Sequence, residues 1–177
     1  EPQACAGLTL DALLERCEVV TIGIDGGGLD VLLGLAVMGR ERETRNWLHW
    51  AQAWAHPSVL ERRKSEAPRL RDLAAVGDLT LVKKIGDDVD DIAALAKRIL
   101  ETGLLDSIGL DPSGIGAILD GLLEAGVEED QIKGISQGWK LTGSIKTTER
   151  KLAEGAMWHC GQPLMAWAGG KAKGVPS

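Results

Sequence analysis

Two apolar runs in this chain each end on an aspartate set beside glycines. The first is Val19-Val20-Thr21-Ile22-Gly23-Ile24-Asp25-Gly26-Gly27-Gly28, and the second is Ser107-Ile108-Gly109-Leu110-Asp111-Pro112-Ser113-Gly114. A carboxylate at the end of a buried strand can hold a divalent cation or face a phosphate, and glycine clears space for a ligand backbone. Carboxylate oxygens are the natural donors for Mg²⁺ or Mn²⁺, which keep several waters and take up substrate phosphates. Two such ions ~4 Å apart activate a water and stabilise the leaving oxygen in phosphodiester cleavage. That chemistry requires Asp25 and Asp111 to converge from neighbouring strands, and Asp30, one short turn beyond Asp25, would be an auxiliary acid. The plainer alternative is that each Asp is a turn residue or a helix N-cap, with Asp111-Pro112-Ser113 simply starting the next helix. The denser acidic run Asp87-Asp88-Val89-Asp90-Asp91 precedes a strongly periodic segment and reads as a helix N-terminus favoured by the dipole.

The elements that must position these residues follow from periodicity. Thr9 caps a short helix through Arg16, and the first strand spans about 18–25. Val31 to Met38 is a second apolar run, Gly39 to Glu43 a hairpin turn, and Asn46 to Trp54 a third strand alternating Trp47, His49, Ala51 and Ala53 with Leu48, Trp50, Gln52 and Trp54. Pro57 to Leu73 reads as a helical stretch interrupted at Pro68, Leu79 to Val82 as a short strand, and Asp90 to Thr102 as an amphipathic helix. Strand four is 107–111, a helix covers Ser113 to Ala125, strand five is Gln131 to Ile135, and Thr147 to Trp167 is mostly helical with a break at Gly161-Gln162-Pro163. Three meandering strands followed by alternating helices and strands predict an α/β fold with a mixed sheet of the ribonuclease-H-like kind: an antiparallel three-strand meander plus parallel strands, flanked by helices. The expected division is an amino-terminal helix and linker over 1–18, a domain over 19–168, and a mobile Gly/Lys-rich tail over 169–177.

Composition narrows the function classes. The 177 residues suffice for one domain with a sizeable core, and 44% hydrophobic with 26% charged residues is ordinary for a globular protein. No apolar run approaches the ~20 residues that span a bilayer, and Glu1-Pro2-Gln3-Ala4-Cys5 does not resemble a signal peptide. Cys5, Cys17 and Cys160 are widely spaced and read as reduced, structural thiols. A net charge of −6 argues against a protein that coats nucleic acid but leaves room for local basic patches. Such patches fall at Arg40 to Arg45, at Arg62-Arg63-Lys64 with Arg69 and Arg71, and at Lys140, Lys146, Arg150 and Lys151. Each is mixed with acids, so a solvated helix face is the default. The Ser/Thr/Gly-rich segment Lys140 to Arg150, expected to flex, is the best candidate for contacting a DNA backbone. Trp47, Trp50 and Trp54 are expected to pack rather than to stack on bases.

The segments Ile22-Gly23-Ile24-Asp25-Gly26-Gly27, Gly109-Leu110-Asp111-Pro112-Ser113-Gly114-Ile115-Gly116 and Gly134-Ile135-Ser136-Gln137-Gly138-Trp139-Lys140-Leu141 resemble, in order and spacing, the nuclease domain of tailed-phage terminase large subunits. Lys151 to Gly155 and Trp158 to Trp167 extend the resemblance. It implies a ribonuclease-H-like fold and a Mg²⁺- or Mn²⁺-dependent endonuclease cutting double-stranded DNA during genome packaging, with little sequence preference. It further implies the ATPase half of the motor, the small terminase subunit and the portal or procapsid as partners, in the cytoplasm of a bacterial host. Asp25 and Asp111 match the family's first two acids. Its third acid lies beyond the helix containing Gln162-Pro163-Leu164, whereas here no Asp or Glu follows Glu154. The third ligand is therefore expected to be missing or replaced from elsewhere, with His159 as an imidazole substitute and a buried structural His as its plainer role. No G-x-x-x-x-G-K-[ST] loop occurs, so the chain is not the ATPase.

Two further readings stand beside this one. Ile24-Asp25-Gly26-Gly27-Gly28 resembles the first phosphate loop of actin-like sugar kinases, although Leu29 occupies their usual Thr or Ser position. A non-catalytic docking module of the packaging motor is the third reading.

Overall fold

In a computed structural model, the described residues are 3–4, 8–26, 28–112, 116–136 and 138–171. The elements in order are β1 (Gln3–Ala4), α1 (Leu10–Arg16), β2 (Cys17–Asp25), β3 (Leu33–Glu41), β4 (Trp47–Ala55), α2 (Pro57–Arg62), α3 (Ala67–Ala75), β5 (Leu79–Leu81), α4 (Asp87–Glu101), β6 (Leu105–Leu110), α5 (Gly116–Glu124), β7 (Ile132–Gly134), α6 (Thr142–Ala153), β8 (Met157–His159) and α7 (Pro163–Lys171). The strands form one sheet in the order β1-β8-β4-β3-β2-β6-β7, with β5 also pairing β4. The antiparallel meander is β2-β3-β4, while β6 joins β2 and β7 joins β6 in parallel. This is the predicted mixed α/β sheet of the ribonuclease-H-like kind.

The side chains sort onto two unlike faces. Ile22 and Ile24, Leu35 and Val37, and Ile108 and Leu110 face one way and form the main core with α1, α4 and α5. Helix α4 supplies Ile92, Ala96 and Ile99 from its apolar stripe, and its first turn carries Asp87, Asp88 and Asp90, where the dipole favours acids. The expected linker over 1–18 contributes to this core, because α1 buries Leu10, Leu13 and Leu14 there and Thr9 caps it by accepting the Ala12 N–H. Cys17, fully buried, has its thiol pushed up to about 11 by burial and by Glu41. On the opposite face, at the β4–β5 end, Val59 of α2, Leu70 and Leu73 of α3 and Leu164 of α7 pack on Ala53 and Ala55.

Three local expectations need correction. The stretch 57–73 is two helices, and Pro68 lies in the first turn of α3 instead of interrupting a helix, because an N-terminal turn has no use for its missing N–H. Thr147 to Trp167 is helical at both ends, but the break between is longer than Gly161-Gln162-Pro163 and holds a strand. Helix α6 already starts at Thr142 and stops at Ala153 before Gly155 with φ 67, whose left-handed backbone turns the chain out, and Met157 to His159 then pairs in parallel with β4. Lys140 to Arg150 is likewise regular rather than a flexible loop, since a 3₁₀ turn over Gly138–Leu141 leads directly into α6. Of the expected mobile tail, Gly169 to Lys171 belong to α7 and 172–177 lie outside the described residues.

The outer edge of β4 changes partner along its length. β8 pairs with Trp47–His49 and β5 with Ala53–Ala55, so Ala51 faces a gap between them. The Gln162 side chain fills that gap in the manner of a strand. Its Oε1 accepts the Ala51 N–H at 2.9 Å and its Nε2 donates to the Ala51 carbonyl at 2.7 Å. Buried Asp78 accepts from Gln162 Nε2 at 3.3 Å and from the Leu164 N–H at 2.9 Å, anchoring the start of α7. Replacing Gln162 by Ala strips both Ala51 groups of their partners and is expected to cost about 1–3 kcal/mol. Urea unfolding of the variant checks this, and an unchanged midpoint would mean that the clasp does not hold the β4 edge.

Candidate functional site

Asp25 is the last residue of β2, and Asp111 follows the last residue of β6. The two strands run in parallel, with Gly23 opposite Gly109 and Ile24 opposite Leu110. The Asp111 N–H donates to the Ile24 carbonyl at 3.4 Å, which carries the pairing one residue past the strand. Both aspartates therefore leave the same end of adjacent strands on the same face, a strand spacing of ~4.8 Å apart. Asp25 is exposed, and its carboxylate has no hydrogen bond or ion pair among the described residues; Asp111 is half-buried. Gly26 is required by the turn itself. Its φ is 97, and a Cβ there would sit 2.1 Å from the Leu32 carbonyl oxygen. This first glycine thus serves the β2–β3 connection, whatever the phosphate-loop resemblance suggested, while Gly27 lies outside the described residues.

The carboxylates open onto a cavity of about 510 Å³ on the thinly covered face. Its floor is made of the smallest side chains, because Gly109, Gly23, Ala36 and Ala51 stand in one cross-strand row, with Gly34 and Ala53 beside Asp25 in the next. Leu164, Met165 and Trp167 of α7 form one wall and Ile135 another. His49 also lines the cavity. It is 6% exposed, and its Nδ1 is buried without a hydrogen-bond partner among the described residues. Burial, with a contribution from His159 alongside, lowers its pKa to about 4, so the ring is neutral at ordinary pH. His49 is not among the site residues expected from the sequence. Its signal lay in the alternation of β4, where it shares a face with Ala51 and Ala53.

The other expected ligands do not join the pair. Asp30 sits in the exposed β2–β3 turn, where it accepts from Arg62 at 2.8 Å, and it does not line the cavity. His159 is in β8, opposite His49, and its Nδ1 accepts the Gly161 N–H at 3.0 Å. Three strand spacings and four residues of register separate it from Asp25, on the order of 15–20 Å. Among the described residues no three His, Cys, Asp or Glu side chains gather as a metal cluster. The Asp87–Asp91 run is structural, as expected. Asp88 meets buried His56 at 3.1 Å, Asp91 accepts the Trp54 Nε1–H at 2.9 Å, and Asp87 accepts the Lys84 N–H.

The DNA-contact candidates spread along α6 instead of converging. Lys140 follows β7, whose Gly134 is level with Leu110 at the aspartate end. The chain leaving α6 meets the start of β4, where Ala156 accepts the Trp47 N–H. The 12 residues of α6 span ~18 Å, so Arg150 and Lys151 lie toward the opposite end of the sheet. Both pair with Glu154, at 2.8 and 3.8 Å, and Lys151 also covers the Trp47 ring at 5.7 Å. Lys140 and Lys146 are exposed and carry no ion pair among the described residues.

With this geometry in view, comparison with solved structures is informative. The large terminase of bacteriophage HK97 superposes with a TM-score of 0.68 at 19% identity, over 84% of this chain and 31% of that protein. This chain shares its fold with part of a large terminase. The large-terminase nuclease domain of bacteriophage SPP1 with bound Mn gives a TM-score of 0.48 at 19% identity, covering 92% of this chain and 71% of that one. Thermus thermophilus RuvC gives 0.42 at 15% identity, over 90% and 85%. No family model and no curated protein matches the sequence. The terminase resemblance therefore holds at the level of fold, and the chain spans under a third of the HK97 large terminase.

His49 generates a pH prediction. Its folded pKa lies below the unfolded value of 6.5, so the stability tied to its neutral form is present above pH 6.5 and is lost as the pH falls toward about 4. Unfolding free energy is expected to drop by up to about 3 kcal/mol across that window. The His49→Gln variant should show a correspondingly shallower decline between pH 7 and 4.5 in parallel urea titrations, and identical slopes would refute the assignment.

Proposed function

We propose that this chain is the nuclease part of a DNA-packaging motor, a Mg²⁺- or Mn²⁺-dependent endonuclease that cuts double-stranded DNA with little sequence preference. The observation that carries this reading is the pair of carboxylates, Asp25 and Asp111, on one face at the ends of adjacent parallel strands. The donor set suits a hard divalent cation, since such ions are held by one or two carboxylates and fill their remaining positions with water and substrate phosphate. When bound, the ion supplies Lewis-acid polarisation of the phosphoryl oxygen and lowers the pKa of water.

The chain's own residues would then act in three ways. Asp25, exposed and unpaired among the described residues, is free to ligate at the mouth of the cavity. Asp111 is fixed in its place by the hydrogen bond from its own N–H to the Ile24 carbonyl. Gly23 keeps the ground behind Asp25 clear, so a phosphodiester can come close there, whereas the Ile135 side chain lies over Gly109 behind Asp111. Two protein carboxylates fit one ion well. A second ion would need donors beyond this pair, from the substrate or from residues outside those described. Lys140 and Lys146, nearer the aspartate end of α6, are proposed to meet the DNA backbone; the ATPase half of the motor, the small subunit and the portal are proposed as protein partners. No helix among the described residues is long and apolar enough to cross a membrane, and the proposed setting is the cytoplasm of a bacterial host.

Supercoiled plasmid incubated with Mn²⁺ tests the proposal. Asp25→Asn and Asp111→Asn are each expected to slow nicking by about 10²-fold or more. Undiminished nicking in both variants overturns the assignment. Lys140→Ala and Lys146→Ala should weaken plasmid binding and flatten its salt dependence, each removing about one phosphate contact. Arg150→Ala, whose partner is already Glu154, should change binding less than either lysine variant.

A further inference from the structure

The cavity extends well beyond the space a cation and a phosphate require, and its chemistry is of a different kind. None of its lining residues among those described is Lys or Arg, so they do not suit a second phosphate. Most of its floor is low, because Gly23, Ala36 and Ala51 raise nothing taller than a methyl group above the sheet, while the Ile135 side chain lies over Gly109 at one end. The indole of Trp167 and the side chains of Leu164 and Ile135 make apolar walls. At the far end stands His49, more than nine-tenths buried, with no hydrogen-bond partner for its Nδ1 among the described residues. A buried imidazole left unpartnered is costly and points to a group that completes it. The ring is neutral, which favours an uncharged polar partner over an anion. A flat, uncharged body with polar edges, entering a cavity continuous with the proposed cleavage site, describes a nucleobase. The volume of about 510 Å³ lies within the ~300–1,000 Å³ of small-molecule sites.

We propose that this cavity receives one unstacked nucleobase of the DNA strand engaged at Asp25 and Asp111, lying on the Gly/Ala floor beside Trp167 with its polar edge toward His49. The proposal rests on the nuclease reading and deepens it. His49 is level with Thr21 through Met38, so it lies two strands and four residues from Asp25, on the order of 15 Å away. The base therefore belongs to a nucleotide neighbouring the one whose phosphate is cut. Drawing a base out of a duplex costs a few kcal/mol and is least costly where the strand is already unpaired. The site should accordingly favour frayed, nicked or single-stranded DNA near the cleavage point.

The test uses short single-stranded oligonucleotides carrying 2-aminopurine at successive positions, bound in Ca²⁺ to prevent turnover. Wild type is expected to change the emission strongly at one position only. Ala36→Leu and Ala51→Leu, which raise the floor, and His49→Gln should each abolish that response and weaken binding roughly 10-fold, within the ~1–3 kcal/mol a stacked base contributes. Thermal melts identify variants that remain folded, and the response of wild type alone decides the matter if a floor variant does not. Overturning results are an equal response at every position, no response at any, or an unchanged response in a folded variant. An apolar peptide as the true occupant would give no position-specific response and would itself displace no oligonucleotide. Plasmid nicking by Asp25→Asn separates the two ideas. If nicking requires Asp25 but no base position responds, only the base pocket falls; if nicking ignores Asp25, the nuclease reading falls first.

Discussion

The arrangement of this molecule turns on the parallel pairing of β2 with β6. Strand pairing fixes side-chain direction with a period of two, so a slip of one residue would send Asp111 into the main core and Leu110 onto the open face. The register is held from both sides. Ile24 and Leu110, opposite each other, are buried beneath α4 and α5, and the Asp111 N–H extends the ladder to the Ile24 carbonyl. The burial of their neighbours sets where both aspartates leave the sheet. That is the economical way to present two like charges: the hydrophobic face sets the geometry, and the charged groups stay near water, where desolvation is slight.

A second constraint governs the open face. The β4 edge cannot be completed by one strand, because β8 and β5 each cover only three residues of it. Gln162 substitutes for the missing backbone at Ala51 and, with Asp78, sets where α7 begins. The position of α7 in turn sets the height and the apolar character of the cavity wall. The clasp and the carboxylate pair thus lie at opposite sides of one cavity and depend on the same strand face. A buried side-chain amide that satisfies a strand edge is unforgiving, since each Ala51 group it leaves would be unpaired.

The sequence revealed the parts of this architecture that rest on strong local patterns. The alternation in β4, the apolar stripe of α4 and the glycine-flanked aspartates of β2 and β6 each carry their period plainly, and from them the meander, the mixed sheet and the meeting of Asp25 with Asp111 could be read. What escaped depends on tertiary pairing. Met157-Trp158-His159 has no strand signature three residues long, and it becomes a strand only because the β4 edge is there to receive it. Gln162 looked like part of a helix break, since nothing local announces that its amide will meet Ala51 over a hundred residues away. The basic residues from Lys140 to Lys151 read as one patch in sequence, yet α6 distributes them along the sheet and engages two of them with Glu154.

The composition of the open face argues against its being a poorly finished core. On the main-core side the same strands carry Ile, Leu and Val, each worth about 1.5–3 kcal/mol when buried. On the open side the positions in register with them are Gly23, Gly34, Ala36, Ala51 and Gly109. Larger residues there would have drawn α7 and the turns around it into a thicker, more stable layer. Leaving these positions small forgoes that stabilisation at the centre of the sheet, where packing is otherwise densest, and does so beside two carboxylates and an unsatisfied histidine. Departures from good packing that cluster in one place mark function more often than chance. Here they coincide with the one point where two acidic strand ends meet.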